Sequence, residues 1–99
     1  MNQTFQQQVL ELTRQIPKGK VTTYKQIAMK LNTRAYRAVG TALKRNPELI
    51  ITPCHRVINT SGFVGEFVCG QGQKQELLEQ EGIVIINNKV DLKKYLYIF

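Results

Sequence analysis

The sequence predicts one small α/β domain of winged-helix-like architecture, with a helix-turn-helix and a few short strands. Three observations predict it. First, 99 residues, 42% hydrophobic and 21% charged, suffice for one modest core and are too rich in apolar residues for a disordered chain. Second, three helical stretches precede Asn46-Pro47, and the third carries a basic stripe. Third, the β-branched runs that follow are short and punctuated by glycine and asparagine. No repeat, low-complexity tract or linker divides the chain, so residues 1–99 form a single domain.

Thr4 and Gln7 fit a capping box, and Phe5, Val9, Leu12 and Ile16 follow helical spacing. That helix must stop before "IPKGK", where Pro17 and Gly19 break it. Thr23 and Gln26 form a second capping box, and Ile27, Ala28 and Leu31 give a short helix over about 24–31 an apolar stripe. "TRAYRAVGTALKRNP" reads as a helix over roughly 34–45, ended by Asn46-Pro47. Ala35, Val39, Ala42 and Leu43 can face a core, while Arg34, Arg37, Thr41 and Lys44 line the other side. The second and third helices thus resemble a helix-turn-helix, the alternative being an ordinary solvated helix face. "LIITPC" is a short run entering a Pro-Cys turn, and "VINTSGFVGEFVCGQG" is loop with one or two short strands. "QKQELLEQEG" is a helix closed by Gly82, "IVIINNKVDL" a hairpin turning at Asn87-Asn88, and "KKYLYIF" an aromatic tail packed on the body.

The net charge is +7 and the pI about 9.7, a balance that favours a polyanionic partner, most often nucleic acid. The longest apolar run is a few residues, Ile83 to Ile86, so no membrane partner is expected. The start lacks the marks of a signal peptide, which predicts a cytoplasmic protein, nucleoid-associated in a prokaryote, and a monomer. Two cysteines make no disulfide framework. Cys54, His55 and Cys69 have poor chelating spacing, so neither metal nor cofactor is expected.

The stretch "TPCHRVIN" places the only histidine, His55, directly after Cys54. A thiol becomes a strong nucleophile when a base or a positive charge lowers its pKa. His55 can supply the base, and Arg56 brings charge close by. Such a relay also needs a carboxylate to hold the imidazole, and Glu76, Glu79 and Glu81 are all candidates.

"PCHRVI" resembles the active-site motif of the O6-alkylguanine-DNA alkyltransferases. "IPKGKVTTYKQIA", "RAYRAVGTALKRNP", "PCHRVINTSGFVG" and "KQELLEQEG" follow in that family's order and spacing, from about Phe5 to Gly82. The resemblance implies double-stranded DNA containing O6-alkylguanine as partner and substrate, with the base flipped out of a helix approached from the minor groove. It implies Cys54 as acceptor, His55 as the residue that deprotonates it through a water, and Glu81 as the glutamate that orients His55. Tyr24 would assist the departing base and help turn the phosphate, and Arg37 would fill the gap left by the flipped base. Asn46 would brace the turn, and the Val57 carbonyl would read the guanine. Arg34, Thr41, Lys44, Ala35, Ala38 and Gly40 complete the expected DNA-binding set, and Pro53, Arg56 and Val68 the pocket.

Three departures accompany the likeness. The family commonly has an additional N-terminal domain, which is expected to be absent here. A shorter branch, the alkyltransferase-like proteins, also lacks it, replaces the acceptor cysteine, and binds lesions for other repair machinery. The tail "VDLKKYLYIF" is similar to that branch, whereas Cys54 favours transfer. "GEFVCG" stands where the family favours tyrosine, serine and glycine, and Tyr36 stands where a small residue is frequent. In that loop Cys69 is expected to be a small half-buried hydrophobe, neither a second acceptor nor a redox partner of Cys54.

Overall fold

A computed structural model describes residues 4–45, 52–64 and 74–99. Helix α1 (Phe5–Arg14) begins at Thr4, whose side chain accepts from the Gln7 N–H while the Gln7 side chain accepts from the Thr4 N–H. This is the capping box the spacing predicts. Strand β1 (Thr22–Thr23) leads straight into α2 (Tyr24–Lys30). Thr23 accepts from the Gln26 N–H at 3.2 Å, so the N-terminus of α2 is capped, but the reciprocal Gln26 side-chain bond of the expected capping box is not formed.

Helix α2 ends on Asn32, whose φ of 56° is left-handed. The Thr33 N–H reaches the Ala28 carbonyl and the Asn32 N–H the Met29 carbonyl, closing a Schellman turn. Helix α3 (Tyr36–Lys44) starts two residues later than the sequence predicts. The Thr33 hydroxyl accepts from the Ala35 N–H, and that local bond holds residues 33–35 in a turn. Arg34 therefore precedes the helix, and Ala35 is its exposed N-cap instead of a core residue. Val39, Ala42 and Leu43 are buried, and Arg37, Thr41 and Lys44 are exposed, as their spacing predicts.

Cys54–Arg56 form one 3₁₀ turn that runs directly into strand β2 (Val57–Ile58). Strands β1 and β2 pair in parallel, Thr22 with Val57 and Thr23 with Ile58. Side chains alternate across a strand, so Val57 joins the core of α1, α2 and α3, while Ile58 joins a second core. That second core is built from Val21, Val64, Leu78, Ile83, Val90 and Tyr95.

Helix α4 (Lys74–Gln80) is followed by Gly82 at a φ of +91°, as the glycine predicts. Strands β3 (Ile85–Ile86) and β4 (Lys89–Val90) are antiparallel, joined by Asn87 and Asn88, both at positive φ. The hairpin is shorter than expected: Asp91 caps a one-turn helix α5 (Leu92–Tyr95). The tail then bridges Leu96 to Val21, with the Tyr97 N–H on the Val21 carbonyl at 2.7 Å. Tyr97 and Phe99 meet edge to face at 5.3 Å and cover the first core. Among the described residues no helix is long and apolar enough to cross a membrane.

Candidate active site and groove face

The chain enters the site through a sharp bend. Pro53 has φ −80° and ψ 69°, and the Cys54 N–H reaches back to the Thr52 carbonyl at 2.8 Å, which together make an inverse γ-turn. Thr52 is fully buried, and its hydroxyl accepts from Arg14 Nε at 3.0 Å. The bend holds Cys54 in the first core at 3% exposure. The next two residues, the middle and end of one 3₁₀ turn, project toward the end of α4.

There the Glu81 carboxylate meets both of them. Its Oε2 lies 3.0 Å from His55 Nε2, and Arg56 donates to Oε1 from Nε at 2.9 Å and to Oε2 from a terminal nitrogen at 2.6 Å. The other terminal nitrogen of Arg56 donates to the Ile16 carbonyl at 2.8 Å. Burial raises the Glu81 pKa, but the hydrogen bonds and charges of Arg56 and His55 outweigh it and hold the carboxyl below its ordinary 4.5. An ionised carboxylate facing Nε2 requires the ring proton there, which leaves the Nδ1 lone pair as the base. Of the three carboxylates open to the sequence, only Glu81 reaches His55 among the described residues. Arg56 has a second task that the sequence did not show: its guanidinium is engaged by Glu81 and Ile16, so it clamps the histidine's partner.

Cys54 is one half of a disulfide, not a free thiol. The expectation that Cys54 has no redox partner is thereby overturned. An activated thiol is also an easily oxidised one. The chain's other cysteine, Cys69, lies outside the described residues, as do Asn46 and Val68.

Tyr24, the first residue of α2, is half-buried and faces α3. With Tyr36, Arg37, Gly40, Asn59 and Thr60 it lines a cleft of about 320 Å³. Gly40 borders the cleft opposite Tyr24, where a Cβ would make ordinary contact at 3.9 Å from the ring. Burial pushes the Tyr24 phenol above its ordinary 10.0, so it stays a proton donor. Arg37, Ala38, Thr41 and Lys44 are exposed on the side of α3 away from its buried residues, and Arg34 and Ala35 are exposed just before it.

The sequence reading passed over Lys74. It is only 2% exposed, and its Nζ lies 5.7 Å from the centre of the Tyr24 ring. Desolvation brings its pKa down from 10.5 to about 8. The missed signal is positional: residues 74 and 78 share one face of α4, so Lys74 points the same way as buried Leu78. Among the described residues no group of three His, Cys, Asp or Glu side chains is placed to hold a metal.

Comparison with known proteins agrees with this geometry. The profile described as 6-O-methylguanine DNA methyltransferase, DNA binding domain, matches residues 4–83. A methylated-DNA–protein-cysteine methyltransferase of Sulfolobus acidocaldarius is 51% identical over 81 residues, which is 82% of this chain and 51% of that protein. One from Thermococcus barophilus is 48% identical over 80 residues, covering 80% and 45%. The chain thus spans about half the length of the curated relatives it matches. Among solved structures, S. pombe Atl1 in complex with damaged DNA containing O6-carboxymethylguanine superposes with a TM-score of 0.82 at 33% identity, covering 98% of both chains. Mycobacterium tuberculosis OGT in complex with DNA gives 0.72 at 41% identity, covering 82% of this chain and 51% of that one.

Proposed function

The chain belongs to the 6-O-methylguanine DNA methyltransferase family, and from that premise we propose that it repairs DNA by moving an alkyl group from guanine O6 to its own Cys54. The observation that carries this reading is the turn Cys54-His55-Arg56 held against Glu81 by His55 and a two-pronged Arg56 contact. In the reduced protein, His55 takes the thiol proton through a water, and Glu81 stabilises the imidazolium. The thiolate sulfur attacks the O6-alkyl carbon, an S–C bond forms and the C–O6 bond breaks. Tyr24 gives its proton to the departing guanine, and the Lys74 cation stabilises the resulting phenolate. The product is a thioether, so each molecule acts once, and the step needs no cofactor.

In this reading the chain is one domain that both binds DNA and carries the acceptor, corresponding to the active-site part of the longer relatives. The exposed side of α3 enters the minor groove, with Arg37 filling the space of the flipped base. A second reading has its own support: the likeness to Atl1 runs over nearly the whole of both chains, whereas the transferases match over half their length. In that reading the chain binds O6-alkylguanine for other repair machinery and transfers little.

Intact-protein mass spectrometry separates the two. The protein, first reduced with a thiol reductant because Cys54 is oxidised in the structure, is mixed with excess O6-methylguanine duplex. The expected result is the added mass of one methyl group, mapped to Cys54. An unchanged mass with retained lesion binding would establish the second reading. A companion prediction concerns Arg37. Arg37→Ala should slow transfer from duplex DNA roughly tenfold more than transfer from free O6-benzylguanine, because only the duplex has to be opened. Single-turnover rates on the two substrates check it, and equal slowing would remove Arg37 from the opening step.

A further inference from the structure

Tyr36 is the one aromatic side chain on the stretch 35–40 at the start of α3, where Ala35, Ala38 and Gly40 are small. It opens the helix and is 43% exposed. Among the described residues its ring joins no aromatic pair and its hydroxyl no hydrogen bond. The core neither needs nor shields it.

Its position is nonetheless well defined. On one side Tyr36 lines the cleft it shares with Tyr24, Arg37 and Gly40. On the other it lines a second cleft of about 410 Å³, with Met29, Asn32, Thr33 and Arg34. The residue is therefore a partition between two open spaces. Arg37, its neighbour in sequence, stands in the first space, and Arg34, a second cation, borders the other.

We propose that Tyr36 is a stacking platform for the base beside the flipped nucleotide, and so a determinant of which flanking bases this protein prefers. The inference rests on the DNA-repair reading above. A ring of this size cannot lie flat between α3 and a groove floor that the adjacent small residues approach closely. It has to stand in the groove, and an aromatic wedge there enters a base step. Inserting such a wedge ordinarily costs a few kcal/mol of lost stacking. Next to a flipped nucleotide one base has already lost its neighbour, so the ring replaces a stack instead of breaking one. Arg37 occupies the vacated position, and Tyr36 meets the exposed face of the adjacent base. Stacking on an aromatic ring is strongest for the larger bases, so a purine flank is favoured over a pyrimidine.

The test uses the full chain with Cys54→Ser, under reducing conditions, on duplexes with one O6-methylguanine and 2-aminopurine as the flanking base. Binding is read by anisotropy and stacking by 2-aminopurine quenching. Tyr36→Ala is expected to weaken lesion binding roughly tenfold, abolish the quenching and erase the purine preference. Tyr36→Phe and Tyr36→Trp are expected to keep all three, because each retains a ring. Binding to undamaged duplex should change less than lesion binding. The proposal is overturned if Tyr36→Ala binds the lesion duplex as tightly as the parent or tighter, or if Tyr36→Phe is as weak as Tyr36→Ala. If the parent shows no preference for lesion over undamaged duplex, the DNA-repair reading itself falls, which is a different result from a lesion-specific parent indifferent to residue 36.

Discussion

Glu81→Ala should lower the transfer rate by roughly 10²–10³-fold, the range a positioned acid-base partner contributes. The carboxylate has two tasks in one place, since His55 and Arg56 both bond to it. Without it the His55 ring loses the group that fixes its proton on Nε2, and the base at Nδ1 is no longer assured. Arg56 keeps only the Ile16 carbonyl and stands as an uncompensated, half-buried cation. Losing hydrogen bonds to charged groups there should cost about 2 kcal/mol, or a melting temperature lower by about 10 °C. The pH dependence has a definite sign. Glu81 has a folded pKa below its ordinary 4.5, so its contribution is complete above that value and is lost as pH falls through the folded one. The stability gap between parent and variant should therefore be constant near neutrality and close in acid. Thermal melts from pH 7 down to pH 3 check this, and a gap that persists in acid would show that Glu81 does not act as an anion.

Lys74→Met should have the opposite effect on stability. A buried amine brought from 10.5 to about 8 carries a cost of about 3 kcal/mol in its charged form. Below pH 8 the amine is protonated in both folded and unfolded chains, and the folded protein bears the whole cost. Between pH 8 and 10.5 the unfolded chain binds more protons, so the parent gains stability as pH rises. Above 10.5 both are neutral and the cost is gone. The methionine variant should thus melt roughly 10 °C or more above the parent at pH 7, with the difference vanishing by about pH 10.5. Because the cation sits over Tyr24, the same variant should transfer more slowly, with the phenolate left unsupported. A variant that is no more stable than the parent at pH 7 would contradict the burial of that charge.

What could be read from the sequence was what neighbours in sequence decide. Thr4 with Gln7, Thr23 with Gln26, Gly82, and the pair Asn87-Asn88 each set a cap or a turn through bonds within a few residues, and each is where it was expected. The start of α3 was misplaced because a single bond from the Ala35 N–H to the Thr33 hydroxyl competes with helix there, and spacing alone does not reveal it. The β1–β2 pairing was invisible because two-residue strands have no period to detect, and their partners are 35 positions apart in the register Thr22 to Val57. Cys54 and His55 stood out as adjacent reactive residues. The Arg56 clamp on Glu81 and the burial of Lys74 did not, because each depends on how α4 lies against a turn far away in sequence. The disulfide at Cys54 ran against the expectation that the chain's other cysteine is a small hydrophobe and no redox partner, a reading of how a thiol is activated that says nothing of how easily it is oxidised.

The bridge from Leu96 to Val21 also orders events in time. Contacts within α1, α2 and α3 are close in sequence, so that part of the molecule can assemble early. The second core cannot close until residues near 95 have left the ribosome, because Tyr95 is one of its buried members and its carbonyl holds the Val21 N–H. Glu81 lies between Leu78 and Ile83 of that late core. A nascent chain should therefore own its groove-facing helix well before it owns its reactive centre. On stalled ribosomes carrying progressively longer chains, protease resistance of the first 45 residues should appear before any alkyl acceptance, which should wait for the tail to emerge.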